Sequence, residues 1–186
     1  ISAEHGEGMA ELFESLLAAA EAIPGYADRD EEAGNAPLQL AIVGRPNVGK
    51  STLVNRLIGE DRLLTGPEAG ITRDAISIDW EYQGKALRLV DTAGLRRRAR
   101  VDHKLEKLSA GDTTRAIRFA QVVVLVLDSE TMLERQDLTI ARRVIDEGRA
   151  LVIAANKWDI VGNQANATQR LRDRLEKSLP QVKGVP

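Results

Sequence analysis

One eight-residue stretch constrains the fold of this chain more than any other. Residues 44–51 read GRPNVGKS and fit the pattern G-x-x-x-x-G-K-[ST] at each fixed position. The stretch follows a short apolar run at 38–43, which predicts a β-strand, and precedes a helical pattern at 51–59. A glycine-rich loop in that context surrounds an anion with backbone N–H groups, and the helix N-terminus adds partial positive charge. The sequence therefore predicts a phosphate-binding loop.

The side chains of this loop have defined chemical tasks if it binds phosphate. The Lys50 ammonium reaches the β- and γ-phosphates, and the Ser51 hydroxyl is a Mg²⁺ ligand. A glycine turn that precedes a helix by chance is the competing interpretation, and agreement at every fixed position with the correct flanking elements disfavours it. The predicted nucleotide-contacting residues here are Gly44, Arg45, Pro46, Asn47, Val48, Gly49, Lys50, Ser51 and Thr52.

Strand and helix patterns alternate after residue 38. Further strands are predicted at 76–82, 85–91, 121–128 and 150–156, and further helices at 134–147 and 167–179. Gln83-Gly84 joins the first two of these strands as a hairpin, whereas the apolar run at 121–128 is typical of a parallel strand covered on both faces. We therefore predict an α/β fold with a mostly parallel sheet, one antiparallel edge hairpin and flanking helices.

The first 37 residues differ in charge from the rest of the chain. They carry a net charge of −8, whereas residues 38–186 carry +6, so the overall −2 averages two unlike pieces. Residues 9–23 have the apolar spacing of an amphipathic helix, which Pro24-Gly25 ends. Residues 24–37 are acidic and poor in large apolar groups, which predicts a linker.

A second polar element, Asp91-Thr92-Ala93-Gly94, ends the predicted strand at 85–91. An aspartate there can hold Mg²⁺ through water, and the Gly94 amide can contact a γ-phosphate and sense its loss. Between this element and the phosphate loop, Thr72 lies in a stretch without periodicity, where its hydroxyl can complete the Mg²⁺ shell. Alone, Thr72 is more often a turn residue, but the other elements favour a switch role. The predicted Mg²⁺ ligands are Ser51, Thr72 and Asp91.

The residues after Gly94 bear on hydrolysis and on partners. Leu95 counts among the predicted nucleotide-contacting residues, but its apolar side chain cannot orient an attacking water as glutamine does, so slow intrinsic hydrolysis is expected. Arg96, Arg97, Arg98 and Arg100 follow. They form either a solvated loop or a basic segment that faces phosphate in the nucleotide or in RNA.

A third element, Asn156-Lys157-Trp158-Asp159, ends the predicted strand at 150–156. The Asp159 carboxylate can accept the N1 and N2 hydrogens of guanine, a donor pair that adenine lacks. Adenine would leave these acceptors unpaired, which is a strong form of selection. We expect Asn156 to brace the loop and the Lys157 stem to lie over the base, with Trp158 beside them.

Composition excludes several other classes of protein. The chain has no cysteine, which excludes a disulfide scaffold and a thiolate metal site and favours a reducing compartment. No apolar run reaches 18 residues, so no membrane span is predicted. Aromatic residues make up only 3%, which argues against a stacking platform for single-stranded nucleic acid. His5 and His103 are isolated and predict no metal site.

The elements GRPNVGKS, Thr72, DTAG and NKWD, in that order, resemble the GTPase superfamily. The resemblance implies a P-loop NTPase fold of the G-domain type, with GTP or GDP and Mg²⁺ as ligands. Asn47 and Leu95 resemble the translation-factor-related GTPases that carry a hydrophobic substitution. In many of these the loop asparagine helps to bind K⁺, which supplies positive charge for hydrolysis. The resemblance thus implies catalytic roles for Lys50, Asn47, Thr72 and Gly94, with K⁺ at Asn47.

The stretches DTAGLRRRARVDHKLEKLS and RAIRFAQVVVLVLDSE, followed by NKWD, resemble the bacterial ribosome-assembly GTPase family Der, also called EngA. That family has two tandem G domains and a KH-like domain, and residues 38–186 fit the second G domain. ISAEHGEG, followed by a helix, resembles the G5 loop and last helix of a G domain. One departure is Ile71, where this family more often has threonine.

This resemblance implies a domain plan and a set of partners. Residues 1–23 are the tail of a preceding G domain, 24–37 an acidic linker, and 38–186 a second G domain truncated before its last strand and helix. The KH-like domain lies outside the chain. The family resemblance also implies a cytoplasmic protein that acts with the large ribosomal subunit and its rRNA, and not with a membrane.

Two other functions remain open at this point. The chain can be a guanine-nucleotide sensor that binds RNA or protein and hydrolyses little unaided, as Leu95 suggests. It can also be a circularly permuted GTPase, in which residues 1–23 supply the G5 loop and final helix to the same fold. Contact between Ser2-Ala3 and Asp159 would favour such permutation-like docking, either within one chain or from a neighbouring copy.

Overall fold

Five strands form one sheet in this computed structural model, which describes residues 1–24, 36–59, 77–82, 84–90 and 110–180. The strands are β1 (Leu38–Val43), β2 (Ile78–Tyr82), β3 (Lys85–Leu89), β4 (Val122–Asp128) and β5 (Ala150–Asn156). The helices are α1 (Met9–Glu21), α2 (Lys50–Gly59), α3 (Ala110–Phe119), α4 (Arg135–Asp146) and α5 (Gln164–Ser178), with a 3₁₀ turn at Trp158–Ile160.

The order of the strands is β2-β3-β1-β4-β5. β2 and β3 are antiparallel, and every other pairing is parallel, which confirms the predicted sheet with its edge hairpin. Because β1, β4 and β5 are parallel neighbours, their carboxyl ends meet at one edge of the sheet. That edge is where ligands of open α/β sheets bind.

The apolar run of β4 is explained by burial on both faces. Val122, Val124 and Val126 pack into a core formed with α1 and α2. Val123, Leu125 and Leu127 pack into a second core formed with α3, α4 and α5. Since a strand alternates its side chains between two faces, two helical layers require an apolar residue at every position.

The boundaries of the elements differ from the predictions in a few places. α3 was not predicted. The strand predicted at 85–91 ends at Leu89, and the helix predicted at 9–23 ends at Glu21. α5 begins at Gln164 instead of 167 because the Asn163 side chain caps it, accepting the Asn166 amide at 3.1 Å. Most of the predicted linker at 24–37 lies outside the described residues. None of the helices that the structure describes is long and apolar enough to cross a membrane.

Helix α1 packs on the sheet of the domain that follows it in sequence. Its apolar side belongs to the same core as α2 and the sheet, with Leu12 and Leu16 buried. Phe13 belongs to the same core and stacks on Tyr82 of β2, with ring centroids 4.0 Å apart. The residues before it reach β5, where the Ile1 nitrogen donates to the Ala155 carbonyl at 2.9 Å. α1 therefore closes one face of the domain.

We expect Leu16→Ala to lower the free energy of unfolding of the whole domain. Leu16 is only 2% exposed, and truncating a buried leucine costs about 2–5 kcal/mol. Urea unfolding followed by circular dichroism measures the loss, with Glu14→Ala on the exposed side of the same helix as the control. An unchanged midpoint in Leu16→Ala would show that α1 does not contribute to this core.

Candidate functional site

The phosphate loop lies between β1 and α2, and its backbone needs glycine at two positions. A Cβ on Gly49, which has φ +91°, would lie 2.1 Å from the Asn156 Nδ2 atom. A Cβ on Gly44 would lie 2.4 Å from the Val126 carbonyl oxygen. Only glycine avoids these overlaps, so the two fixed glycines of the motif hold the loop close to β4 and to the end of β5.

Lys50 occupies the first turn of α2 and is 5% exposed. Its ammonium group donates to the main-chain carbonyl of Arg45, across the loop. Ser51 follows it and is half-buried, and within the described part of the chain its hydroxyl has no protein partner. A hydroxyl at this helix N-terminus can bind a Mg²⁺ whose other ligands are phosphate oxygens. The position of Ser51 therefore fits the predicted Mg²⁺ site.

Asn47 lies at the exposed tip of the loop with φ +64°. Asparagine tolerates this left-handed conformation better than most residues. Pro46 is also exposed, as is Thr52, whereas Val48 is buried. The tip thus offers the Asn47 carboxamide to solvent, where an oxygen ligand is available to a cation.

Asn156 connects three parts of the site. Its Nδ2 donates to the Val48 carbonyl of the phosphate loop at 2.9 Å, and its Oδ1 accepts the Ala3 amide at 2.9 Å. The residue is 3% exposed, so both bonds are shielded from water. Asn156 therefore makes the predicted supporting contact with the loop. It also holds the first residues of the chain, a contact made across 153 residues of sequence.

The turn after Asn156 presents Asp159 to solvent. Ser2 donates a hydrogen bond that holds the pKa of the Asp159 carboxyl below its usual range, so this side chain is ionised at neutral pH. The Trp158 amide donates to the Ile1 carbonyl at 3.1 Å, which fixes the turn against the same N-terminal residues. An exposed, ionised carboxylate on a fixed turn can accept a pair of N–H groups from a base.

Lys157 has φ +60°, and its ammonium group lies 2.6 Å from the Asp128 Oδ2 at the end of β4. Burial raises the pKa of Asp128, but the Lys157 bond, the Glu130 amide and nearby positive charge outweigh it and lower that pKa overall. Asp128 was not among the predicted site residues. Its position at the carboxyl end of a parallel strand, directly opposite Asn156, is the signal that could have identified it.

The structure brings together the phosphate loop, the Asn156–Asp159 turn and the Ser2-Ala3 pair. Other predicted site residues lie outside the described residues, namely Thr72, Asp91, Thr92, Ala93, Gly94 and Leu95, together with the arginines at 96–98 and 100. Their roles, including two of the three Mg²⁺ ligands, stay predictions. Ser2 and Ala3, which were predicted to belong to a G5 loop, lie beside this turn, with Ala3 bonded to Asn156 and Ser2 lowering the pKa of Asp159. Their assignment to a G5 loop stays a prediction.

Comparison with known proteins decides the family. Residues 39–157 match the family described as 50S ribosome-binding GTPase. The chain belongs to this family. The order of its motifs and its parallel sheet therefore follow from a P-loop GTPase fold, as predicted from GRPNVGKS, DTAG and NKWD.

Relatives confirm the resemblance to Der. The chain is 52% identical to GTPase Der of Parvibaculum lavamentivorans over 208 aligned positions, which cover 100% of this chain and 44% of the relative. It is 54% identical to GTPase Der of Azorhizobium caulinodans, covering 100% of this chain and 42% of the relative. The chain thus spans less than half the length of these relatives. Because each alignment runs through the whole chain in one direction, a circular permutation is not favoured.

Solved structures confirm the fold. A crystal structure of Era in complex with MgGDPNP and nucleotides 1506–1542 of 16S ribosomal RNA superposes with a TM-score of 0.54 at 23% identity. It covers 79% of this chain and 49% of the Era chain. A crystal structure of the bacterial selenocysteine-specific elongation factor EF-Sec gives the same TM-score at 21% identity.

Proposed function

We propose that this chain binds GTP and hydrolyses it slowly, as a switch in assembly of the large ribosomal subunit. Membership of the 50S ribosome-binding GTPase family and the similarity to Der support the biological role. The observation that carries the chemistry is Asn156, whose Nδ2 bond to the Val48 carbonyl holds the phosphate loop against the base-reading turn, while its Oδ1 accepts the Ala3 amide. A nucleotide that spans both elements meets a preorganised site, which is how phosphoryl-transfer sites act.

The reaction is attack of water on the γ-phosphorus. The bond from that phosphorus to the β–γ bridging oxygen breaks, GDP leaves with the electron pair, and the proton of the water passes to phosphate. Lys50 neutralises charge on the β- and γ-phosphates, and the backbone N–H groups of the loop bind their oxygens. Ser51, with Thr72 and Asp91, would hold Mg²⁺, which supplies positive charge to the same oxygens. Gly94 would contact the γ-phosphate, and loss of that phosphate on hydrolysis would release the segment around Gly94.

We propose further that residues 1–23 are the tail of a preceding G domain, 24–37 a linker and 38–186 a second G domain. The sequence resemblance to Der supports this division. In this chain the tail packs on the second domain, with Ser2 at Asp159 and Ala3 at Asn156. In the whole protein we expect a KH-like domain and the ribosomal RNA to be further partners.

A K⁺ dependence tests the proposed hydrolysis and the role of Asn47 together. We expect GTP turnover to be faster in KCl than in NaCl at equal ionic strength, because a cation held by the exposed Asn47 carboxamide adds positive charge beside the phosphates. Asn47→Gly should abolish the difference, because glycine keeps the backbone conformation at φ +64° but offers no side-chain oxygen to the cation. Multiple-turnover release of phosphate is the measurement.

Asn166→Ala is the control, because it likewise removes an asparagine carboxamide, at an exposed position of α5. It should keep the K⁺ stimulation. Equal turnover in both salts for the unmodified chain would contradict the K⁺ role, and no turnover in either salt would contradict the proposed hydrolysis.

A further inference from the structure

The side chain of Arg45 is tied to a segment far from it in sequence. Its Nε donates to both carboxylate oxygens of Asp137, at 2.9 and 3.0 Å. Its Nη2 donates to the Thr131 carbonyl and hydroxyl at 3.1 and 2.9 Å. Its Nη1 lies 2.8 Å from Glu134. All three guanidinium nitrogens of this phosphate-loop residue thus contact the segment between β4 and the first turn of α4.

Asp137 is built into the fold at the other side of this contact. Its side chain is 0% exposed, and its Oδ2 also accepts the Glu134 amide at 2.9 Å. Glu134 and Asp137 together form the capping box of α4. Burial raises the pKa of the Asp137 carboxyl, and the hydrogen bonds from Arg45 oppose that rise. A buried carboxylate without its cation is strongly unfavourable, so the pair acts as a unit.

The same segment is fixed at its start to the base-reading turn. The Ser129 hydroxyl donates to the Lys157 carbonyl at 2.7 Å, and the Ser129 amide donates to the Asn156 carbonyl at 3.0 Å. Asp128 pairs with the Lys157 ammonium at 2.6 Å. Residues 128–137 therefore touch the base-reading turn at one end and the phosphate loop at the other.

We propose that residues 128–137 form a brace between these two elements, in which Arg45 and Asp137 are a positioning pair for the phosphates. The main-chain carbonyl of Arg45 accepts the Lys50 ammonium, so holding the Arg45 side chain also fixes where that carbonyl and the lysine stand. The brace acts through Lys50 and the loop backbone. This inference rests on the proposed function, because it assigns a positioning role within that nucleotide site.

The geometry distinguishes this pair from an ordinary surface ion pair. A planar guanidinium reaches Asp137, Thr131 and Glu134 at once, which an ammonium cannot do. Arg45→Lys therefore keeps the positive charge but removes the planar group that reaches several partners at once. Asp137→Asn keeps the shape and removes the charge. Arg118→Lys is the matched control, because Arg118 pairs with Glu147 on the surface, away from both loops.

The experiment measures GDP affinity, guanosine affinity, and kcat and KM for GTP in the full chain, with urea unfolding alongside. We expect Arg45→Lys and Asp137→Asn each to weaken GDP binding about tenfold and to lower kcat, while guanosine affinity stays within about twofold. Guanosine has no phosphate, so it reports the base-reading turn alone. The control should change none of these values.

Unchanged GDP affinity and kcat in both variants, with a lower unfolding midpoint, would show a purely structural pair and overturn the proposal. Equal weakening of GDP and guanosine would also overturn it. If either variant fails to fold, Thr131→Ala removes one exposed contact of the same guanidinium and should weaken GDP binding by a smaller factor without affecting guanosine. If the unmodified chain binds no GDP, the proposed function itself is wrong, whereas binding that the variants leave intact refutes only the brace.

Discussion

Replacing Lys50 with alanine should lower the affinity for GTP and GDP about 10²- to 10³-fold. Each hydrogen bond to a charged group contributes about 1.5–3 kcal/mol, and the ammonium serves two phosphates at once. Lys50 is 5% exposed and already directed across the loop to the Arg45 carbonyl, so little ordering is needed when phosphate binds. Equilibrium binding of a fluorescent GDP measures the loss.

Lys85→Ala is the control for this change. Lys85 is a half-exposed residue of the edge hairpin, paired at 3.6 Å with Glu21, and it is not part of the site. Its replacement should leave GDP affinity within about twofold, because exposed ion pairs contribute at most about 1 kcal/mol to stability. Undiminished GDP binding in a folded Lys50→Ala variant would refute the assignment of the phosphate loop.

The second large effect is expected from Asp159→Asn, which should exchange guanine preference for xanthine preference. The carboxylate accepts two N–H groups of guanine, and each such charge-assisted bond contributes about 1.5–3 kcal/mol. Asparagine offers an acceptor and a donor instead, which matches the carbonyl of xanthine at the equivalent position. GDP affinity should fall about 10²-fold or more, and the affinity for xanthosine diphosphate should rise.

Competition between the two diphosphates in one titration gives the ratio directly. Asp173→Asn on α5, an exposed aspartate that accepts a hydrogen bond from Gln169, should leave the ratio unchanged. If Asp159→Asn keeps the preference for GDP over xanthosine diphosphate, Asp159 does not read the base. The Ser2 hydrogen bond that lowers the pKa of Asp159 means that the assay can be run at neutral pH with the carboxylate ionised.

The sequence pattern predicted those strands and loops whose conformation depends mainly on their own residues. The apolar runs at 38–43 and 150–156 are the observed β1 and β5, because a strand with helices on both faces of its sheet is mostly apolar. The phosphate loop was predictable because its glycines mark positions where the backbone has no room for a Cβ. The helix α3 was missed, since AGDTTRAIRF carries few apolar residues at helical spacing.

Long-range pairings could not be predicted in the same way. Arg45 meets Asp137 across 92 residues, and nothing near either residue in sequence shows that they pair. A supporting role for Asn156 was expected, but its bond to Ala3 depends on how α1 packs on the sheet. Residues 72 and 91–95, on which the switch hypothesis depends, lie outside the described structure and stay predictions.

The central claim is that the phosphate loop and the Asn156–Asp159 turn form one guanine-nucleotide site in this chain. Calorimetric titration of the purified 186-residue chain with GDP and with ADP, each with Mg²⁺, tests it most directly. The account predicts that GDP binds with a stoichiometry near one and at least about 10³-fold more tightly than ADP, because adenine leaves the Asp159 carboxylate without its donor pair. Equal affinities for GDP and ADP, or no binding of GDP, would contradict it.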